Sequence, residues 1–145
     1  GAYTIGITAS PASPLTVVAA LELCAATGPE VITGSTRMKA GSAQKMILNI
    51  LSTGVMIRLG KVYGNLMVDV KATNEKLRER AKHIVVDATG CTVKEAETAL
   101  NEASGNAKTA IVMLLLHVTA EQARARLERA DGYIRRTLDG GNHDL

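Results

Sequence analysis

The sequence is poor in aromatic residues, with three tyrosines and neither phenylalanine nor tryptophan. Hydrophobic residues still make up 46% of the chain, so the core must be built from alanine, valine, isoleucine, leucine and methionine. A hydrophobic content of this size is ample for a globular protein and excludes a disordered chain.

Cysteine is also scarce. Cys24 and Cys91 lie among apolar or small residues, without metal-ligand spacing or a disulfide framework. We interpret both as buried structural thiols and expect a reducing, cytoplasmic compartment. The histidines His83, His117 and His143 are scattered, and none has a carboxylate or cysteine at ligand spacing. We therefore expect no metal site and no cofactor.

Long apolar runs are missing. The most apolar stretch, residues 46–59, carries Asn49, Ser52 and Arg58, and no run approaches the roughly 18 residues of a membrane span. The first eight residues show no basic region of a secretory signal. We therefore expect no membrane partner.

The net charge is small, at +3, and the charged residues are unevenly distributed along the chain. Residues 1–68 hold five basic and two acidic residues, whereas residues 69–145 hold twelve of each. A nucleic acid needs a broad basic face, so this pattern favours a small anionic ligand and no nucleic-acid partner.

The first part of the chain indicates a fragment of a parallel sheet. Residues 3–8 and 21–25 are short apolar runs typical of buried strands. Between them, Ser13 and Pro14 are expected to begin a short helix that ends near Ala20. Two such strands joined by a helical crossover form a parallel βαβ unit.

The rest of the chain is predicted to be helical. A long helix is expected over residues 36–59, with Gly60 as its stop. It is apolar on nearly all sides and is therefore expected to be buried by its own sheet and by a second subunit. Residues 61–70 are expected to connect it to helices over residues 74–88, 92–103, 107–117, 119–130 and 133–138. Capping boxes are predicted at Thr92–Glu95 and Thr119–Gln122. The tail from Asp139 is expected to fray.

The stretch from Gly28 to Lys45 carries the candidate chemistry. Ser35, Thr36, Arg37 and Lys39 lie where the long helix should begin, and hydroxyls, backbone N–H groups and cations at a helix N-terminus suit an anion. The alternative is an ordinary helix cap followed by surface charges. Glu30 could accept a sugar hydroxyl or transfer a proton, or it could simply cap the helix or form an ion pair.

The sequence GPEVITGSTRMKAGSAQK resembles the signature of the N-acetylmuramic acid 6-phosphate etherase and glucokinase regulatory protein family. The similarity continues through residues 45–85, ATGC and GNAKTAIVM, and the bacterial etherases are the closer match at LMVDVKATNEKL. The resemblance implies an α/β fragment, residues 1–72, from the C-terminal part of a sugar isomerase (SIS) parallel-sheet domain. An all-α module, residues 73–145, would follow, with a ubiquitin-associated-like arrangement over residues 89–116.

The resemblance also implies a reaction. The family removes the D-lactyl ether from N-acetylmuramic acid 6-phosphate by elimination and water addition, without a metal or redox cofactor. Its catalytic carboxylates lie in the half of the family's length that would precede this chain, so no catalytic residue is assigned here and the chain alone is expected to be inactive. Ser35, Thr36, Arg37 and Lys39 are expected to bind a sugar 6-phosphate or to lie at a dimer interface. Glu30, which matches the glutamate of the signature, is expected to bind the substrate.

Partners and rival functions follow from the same resemblance. A homodimer through the SIS domain and the long helix is expected. The alternative function is a non-catalytic, sugar-phosphate-binding regulatory module. A third possibility is a part whose role is packing and dimerisation alone.

Overall fold

The computed structural model describes residues 1–70 and 74–140, with the side chain of Thr16 excepted. Over these residues the chain is mostly helical with a small strand content, as the sequence predicts. It divides into two compact units, Gly1–Gly54 and Val55–Leu145. The domain boundary predicted between residues 72 and 73 lies outside the described residues and stays a prediction.

The first unit contains the predicted βαβ crossover. Strand β1 (Ile5–Thr8) pairs in parallel with β2 (Leu21–Cys24), and helix α1 (Leu15–Val18) connects them. Gly6 makes this packing possible, because a Cβ at that position would lie 2.9 Å from Cγ of Leu15. Helix α1 is shorter than expected, and its N-cap is Pro14 rather than Ser13.

Helix α2 (Lys39–Arg58) is the long predicted helix, although it begins three residues later than expected. None of its residues is buried within this chain, so the predicted burial by its own sheet is wrong, and burial by a second subunit stays a prediction. Met46, Leu48 and Ile50 are 64%, 50% and 67% exposed. Two short strands offer too little sheet to cover a helix of this length. Gly60 ends the helix with φ of +64°, as predicted.

The second unit opens with a hairpin that the sequence interpretation missed. Strands β3 (Val62–Tyr63) and β4 (Leu66–Met67) are antiparallel, and Gly64 has the positive φ that their tight turn requires. Residues 61–70 were expected only to connect helices, because each strand is two residues long and shows no periodicity. Asp69, which follows the hairpin, pairs with Lys61 at 3.0 Å.

Five helices follow: α3 (Glu75–Thr89), α4 (Val93–Glu102), α5 (Ala107–Leu116), α6 (Ala120–Arg129) and α7 (Ile134–Leu138). Both predicted capping boxes are present, with the Thr92 and Thr119 side chains accepting from the backbone three residues on. Asn74 and Asn106 cap α3 and α5 in the same way. Of the tail predicted to fray, residues 141–145 lie outside the described part of the chain.

The core of the second unit centres on α5. The fully buried side chains Ile111 and Val112 lie on this helix, which contacts α3, α4, α6 and α7. Cys91 is half-buried at the edge of this core. Cys24 is exposed, so its interpretation as a buried thiol is wrong, because it ends a strand that has no described neighbour beyond β1.

The described residues contain neither a membrane-spanning helix nor a metal-ligand cluster. None of the helices there is long and apolar enough to cross a membrane. Residues 1–70 and 74–140 also contain no group of three or more histidine, cysteine or acidic residues placed to hold a metal ion.

Candidate functional site

The first unit contains a cleft at the carboxyl ends of β1 and β2. Open parallel sheets bind ligands at this edge, where the loops after the strands meet the start of the next helix. The cleft has a volume of about 280 Å³. The two strand ends, the loop after β1 and one face at the start of α2 line it, namely Ile7, Thr8, Ala9, Ser10, Ala25, Thr36, Ala40, Gly41 and Gln44.

The strand ends are fixed by hydrogen bonds of their own. The Thr8 hydroxyl donates to the Ser10 carbonyl and accepts from the Ser10 N–H, both at 3.0 Å. The Ala25 N–H donates to the Thr8 carbonyl at 2.9 Å, which extends the pairing of the strands to the rim of the cleft. These bonds hold the Ser10 side chain at the mouth of the cleft.

The opposite wall comes from the turn before α2 and from the helix itself. The Gly41 N–H donates to the Thr36 carbonyl at 2.8 Å, and a Cβ on Gly41 would lie 3.4 Å from that oxygen. The hydroxyl of Thr36 and the side-chain amide of Gln44 form no hydrogen bond with any described residue. Both remain available to a ligand, so the cleft offers neutral donors and acceptors of the kind that bind sugar hydroxyls.

Glu30 caps helix α2 from nine residues upstream. Its Oε2 accepts from the Lys39 N–H and its Oε1 from the Ala40 N–H, both at 3.0 Å. The hydrogen bonds from Ala40 and Lys39, together with the charge of Lys39, hold the pKa of this carboxyl below its ordinary value. A carboxylate of this chain therefore occupies the helix N-terminus that was predicted to bind a ligand anion through its N–H groups.

The other predicted binding residues flank this cap. Thr36 lines the cleft. Ser35 is half-buried in the preceding turn, where its N–H donates to Ile32 and its carbonyl accepts from Met38. Arg37 and Lys39 are exposed, and neither forms a salt bridge with a described residue. The two cations are thus open to an anion, and the binding role of all five residues stays a prediction.

Three cleft residues were missed by the sequence interpretation. Thr8 is the last residue of β1 and Ser10 lies just after it, a position that marks a ligand-binding edge once the sheet is known to be parallel. Gln44 shares a helix face with Ala40, four residues earlier. The first two could have been found from the predicted βαβ unit, whereas Gln44 needed the true start of α2.

The chain is similar to several known proteins. A family model described as the C-terminal lid domain of glucokinase regulatory protein matches residues 64–109. An N-acetylmuramic acid 6-phosphate etherase of Aeromonas hydrophila is 58% identical over 134 residues, covering 92% of this chain and 45% of that protein. Etherases of Pasteurella multocida and Escherichia coli are 55% and 53% identical over 138 and 139 residues.

These matches cover 95% and 96% of this chain but 46% and 47% of the two proteins. The chain therefore spans about half the length of the curated relatives that it matches. Over that length the chain is similar throughout to the N-acetylmuramic acid 6-phosphate etherases, and the family resemblance that its motifs indicate is confirmed.

Proposed function

We propose that this chain forms part of a lyase that cleaves the D-lactyl ether of N-acetylmuramic acid 6-phosphate in the recycling of cell-wall sugars. The products are N-acetylglucosamine 6-phosphate and D-lactate. The observation that carries the proposal is the sustained identity, 58% over 92% of the chain, to a protein named for this activity. The enzyme would work in the cytoplasm.

The proposed reaction needs one group to remove the C2 proton and another to protonate the departing lactate oxygen. Glu30 is poorly suited to either role, because both of its oxygens accept backbone hydrogen bonds and its pKa is lowered. We therefore assign no catalytic residue to this chain. Catalysis would depend on carboxylates supplied by the part of the etherase that these residues do not include.

The described residues would hold and orient the substrate. Arg37 and Lys39 supply unpaired positive charge for the 6-phosphate. Thr36, with Ser35 beside it, supplies hydroxyls at the cleft. Glu30 retains acceptor capacity beyond its two backbone bonds and could receive a sugar hydroxyl while it caps the helix. The helix cap would thereby fix the segment that carries both cations.

The α/β unit is proposed to be part of a larger SIS sheet. Strands of parallel sheets are normally covered on both faces and flanked by others, whereas Val17, Val18 and Val31 are 86%, 74% and 87% exposed here. Glu22 on β2 also has a solvent-shielded oxygen, Oε1, without a hydrogen-bond partner among the described residues. Additional chain against this unit would cover the apolar residues and could satisfy that oxygen.

Two finer features complete the proposal. The exposed apolar residues of α2 suit a homodimer in which the long helix packs against a second subunit. Residues 89–116, which include α4 and α5, would form a ubiquitin-associated-like module. Its caps and apolar helix α5 fit a structural role in packing rather than ubiquitin binding.

A chimera tests the function directly. The 145 residues would replace the matching segment of the Aeromonas hydrophila etherase, and D-lactate release from N-acetylmuramic acid 6-phosphate would be measured. We expect turnover by the chimera and none by the chain alone. A chimera that is folded by circular dichroism yet releases no lactate would refute the proposal. Lactate release by the chain alone would refute the assignment of catalysis to residues elsewhere.

The binding residues have a matched control. In the active chimera, Arg37→Ala and Lys39→Ala should each weaken sugar 6-phosphate binding by about 1–3 kcal/mol, the effect of losing a hydrogen bond to a charged group. Lys45→Ala removes a nearby exposed charge from α2 and should leave the affinity unchanged. If the three variants weakened binding equally, Arg37 and Lys39 would act only through long-range electrostatic attraction and not through direct contacts with the phosphate.

A regulatory protein is the second candidate, because residues 64–109 match the lid domain of glucokinase regulatory protein. In that case the chimera would bind N-acetylglucosamine 6-phosphate without releasing lactate from the substrate. A role in packing alone would show neither binding nor turnover, and sedimentation would then detect only association of subunits.

A further inference from the structure

Four segments of the second unit meet at a junction built on two glycines. Gly60 follows α2, and Gly132 lies in the turn between α6 and α7. A Cβ on Gly60 would lie 3.1 Å from the carbonyl carbon and oxygen of Gly132, so the two backbones are in direct contact. The Tyr133 hydroxyl donates to the Arg58 carbonyl and ties the same segments together.

The ammonium group of Lys108 lies against this junction. Lys108 is in the first turn of α5, and a Cβ on Gly132 would lie 3.4 Å from its Nζ. Lys108 is half-buried, yet its ammonium forms no hydrogen bond or salt bridge with any described residue. Because residue 132 is a glycine, the ammonium approaches the backbone of this turn with no side chain between them.

The nearest opposite charge is already engaged. Asp69, which follows the hairpin, pairs with Lys61 at 3.0 Å, and each of the two side chains is about one-third exposed. Burial lowers the pKa of Lys108, Lys61 lowers it further, and Asp69 opposes both effects. Lys61 follows Gly60 and Lys108 reaches Gly132, so the two lysines flank the same backbone contact. With Asp69 already paired to Lys61, the three side chains together carry one excess positive charge.

We propose that Lys61 and Lys108 bind the phosphate group of a small molecule, or free phosphate, at this junction. A phosphate dianion offers several acceptor oxygens and can receive hydrogen bonds from both ammonium groups. It would also satisfy the unpaired donor of Lys108 and reverse the excess charge. This site lies within the second unit and does not depend on the cleft described above or on turnover.

Titration of the ¹⁵N-labelled chain with inorganic phosphate, at ionic strength held constant with chloride, tests the proposal. We expect saturable amide shifts confined to the vicinity of Lys61, Lys108 and Gly132. Lys108→Met should weaken binding about tenfold, and Lys108→Arg should keep it within about threefold. Lys94→Met, which removes an exposed charge from α4, should have no effect.

Asp69 supplies a readout that a purely structural role would not produce. Asp69→Asn removes the competing carboxylate without changing the size of the side chain, so phosphate should bind several-fold more tightly. Glucose 6-phosphate should produce the same set of shifts if the site accepts a phosphorylated metabolite, whereas a response to inorganic phosphate alone would identify the free anion as the ligand. Shifts that never saturate, or that are equal in Lys108→Met and Lys94→Met, would overturn the proposal.

Discussion

The packing of the helical unit can be tested at Ile111. This side chain is fully buried on α5, the helix that α3, α4, α6 and α7 surround. Ile111→Ala removes three carbon atoms from the centre of the unit, and Ile111→Val removes one. No polar group or helix cap is altered by either change, so their effect reports packing alone.

The expected magnitude follows from the burial. Each buried methylene contributes about 0.8 kcal/mol, so the transfer cost of Ile111→Ala is about 2–3 kcal/mol. The cavity left behind raises the total to about 3–4 kcal/mol, and Ile111→Val should cost about 1 kcal/mol. A unit of this size has a total stability of roughly 5–13 kcal/mol. The larger substitution should therefore remove a substantial fraction of that stability.

Urea unfolding followed by circular dichroism measures the effect. With a slope of about 1 kcal/mol/M, the urea midpoint should fall by about 3 M in Ile111→Ala. Val93→Ala is the control, because Val93 lies on α4 and is 53% exposed. Its midpoint should correspond to a change within about 0.5 kcal/mol. If Ile111→Ala shifted the midpoint no more than Val93→Ala, at an unchanged slope, α5 would not be the centre of the core.

Three further predictions concern a cap, a capping box and a close backbone contact. The pKa of Glu30 lies below its ordinary value of 4.5 in the folded chain, so its contribution to stability is complete above the unfolded pKa and is lost as the pH falls through the folded value. Glu30→Gln should therefore flatten the acid dependence of hydrogen exchange at the start of α2, and an unchanged slope would contradict this role. Thr92→Ala should lower the free energy of unfolding by about 1 kcal/mol, because it removes the N-cap of α4. Thr98→Ala, at an exposed position within the same helix, should leave the free energy from urea unfolding nearly unchanged. Equal losses in the two variants would argue against the cap. Gly60→Ala should lower the melting temperature more than Gly64→Ala. Both glycines have positive φ, but only a Cβ on Gly60 would lie 3.1 Å from another backbone segment. The reverse order would show that the backbone at this contact moves apart without loss of stability.

Much of the helical unit could be predicted from local patterns. The motif of Thr92 and Glu95 defines the start of α4 whatever the helix packs against, since a capping box involves residues three positions apart. The β3–β4 hairpin was missed for the complementary reason. Each of its strands is two residues long, too short for any alternation of apolar and polar side chains to be visible.

The candidate site was predicted in part. The sequence located the segment that carries Thr36 and the two cations, because glycine, hydroxyl and basic residues cluster there. It left open whether Glu30 binds a ligand or caps the helix, and the structure shows that it caps α2. That contact joins residues nine and ten positions apart through a turn, and no local propensity determines its geometry.

By itself, the sequence determined the helical class, the two capping boxes, the parallel βαβ unit and the resemblance to the etherases. These depend on near neighbours along the chain or on identity position by position. Only the tertiary structure decided that the cleft edge includes Gln44, that α2 is uncovered, and that the ammonium group of Lys108 lies beside Gly132. Those features arise where distant segments meet, and the meeting is set by packing and excluded volume rather than by any residue's own preference.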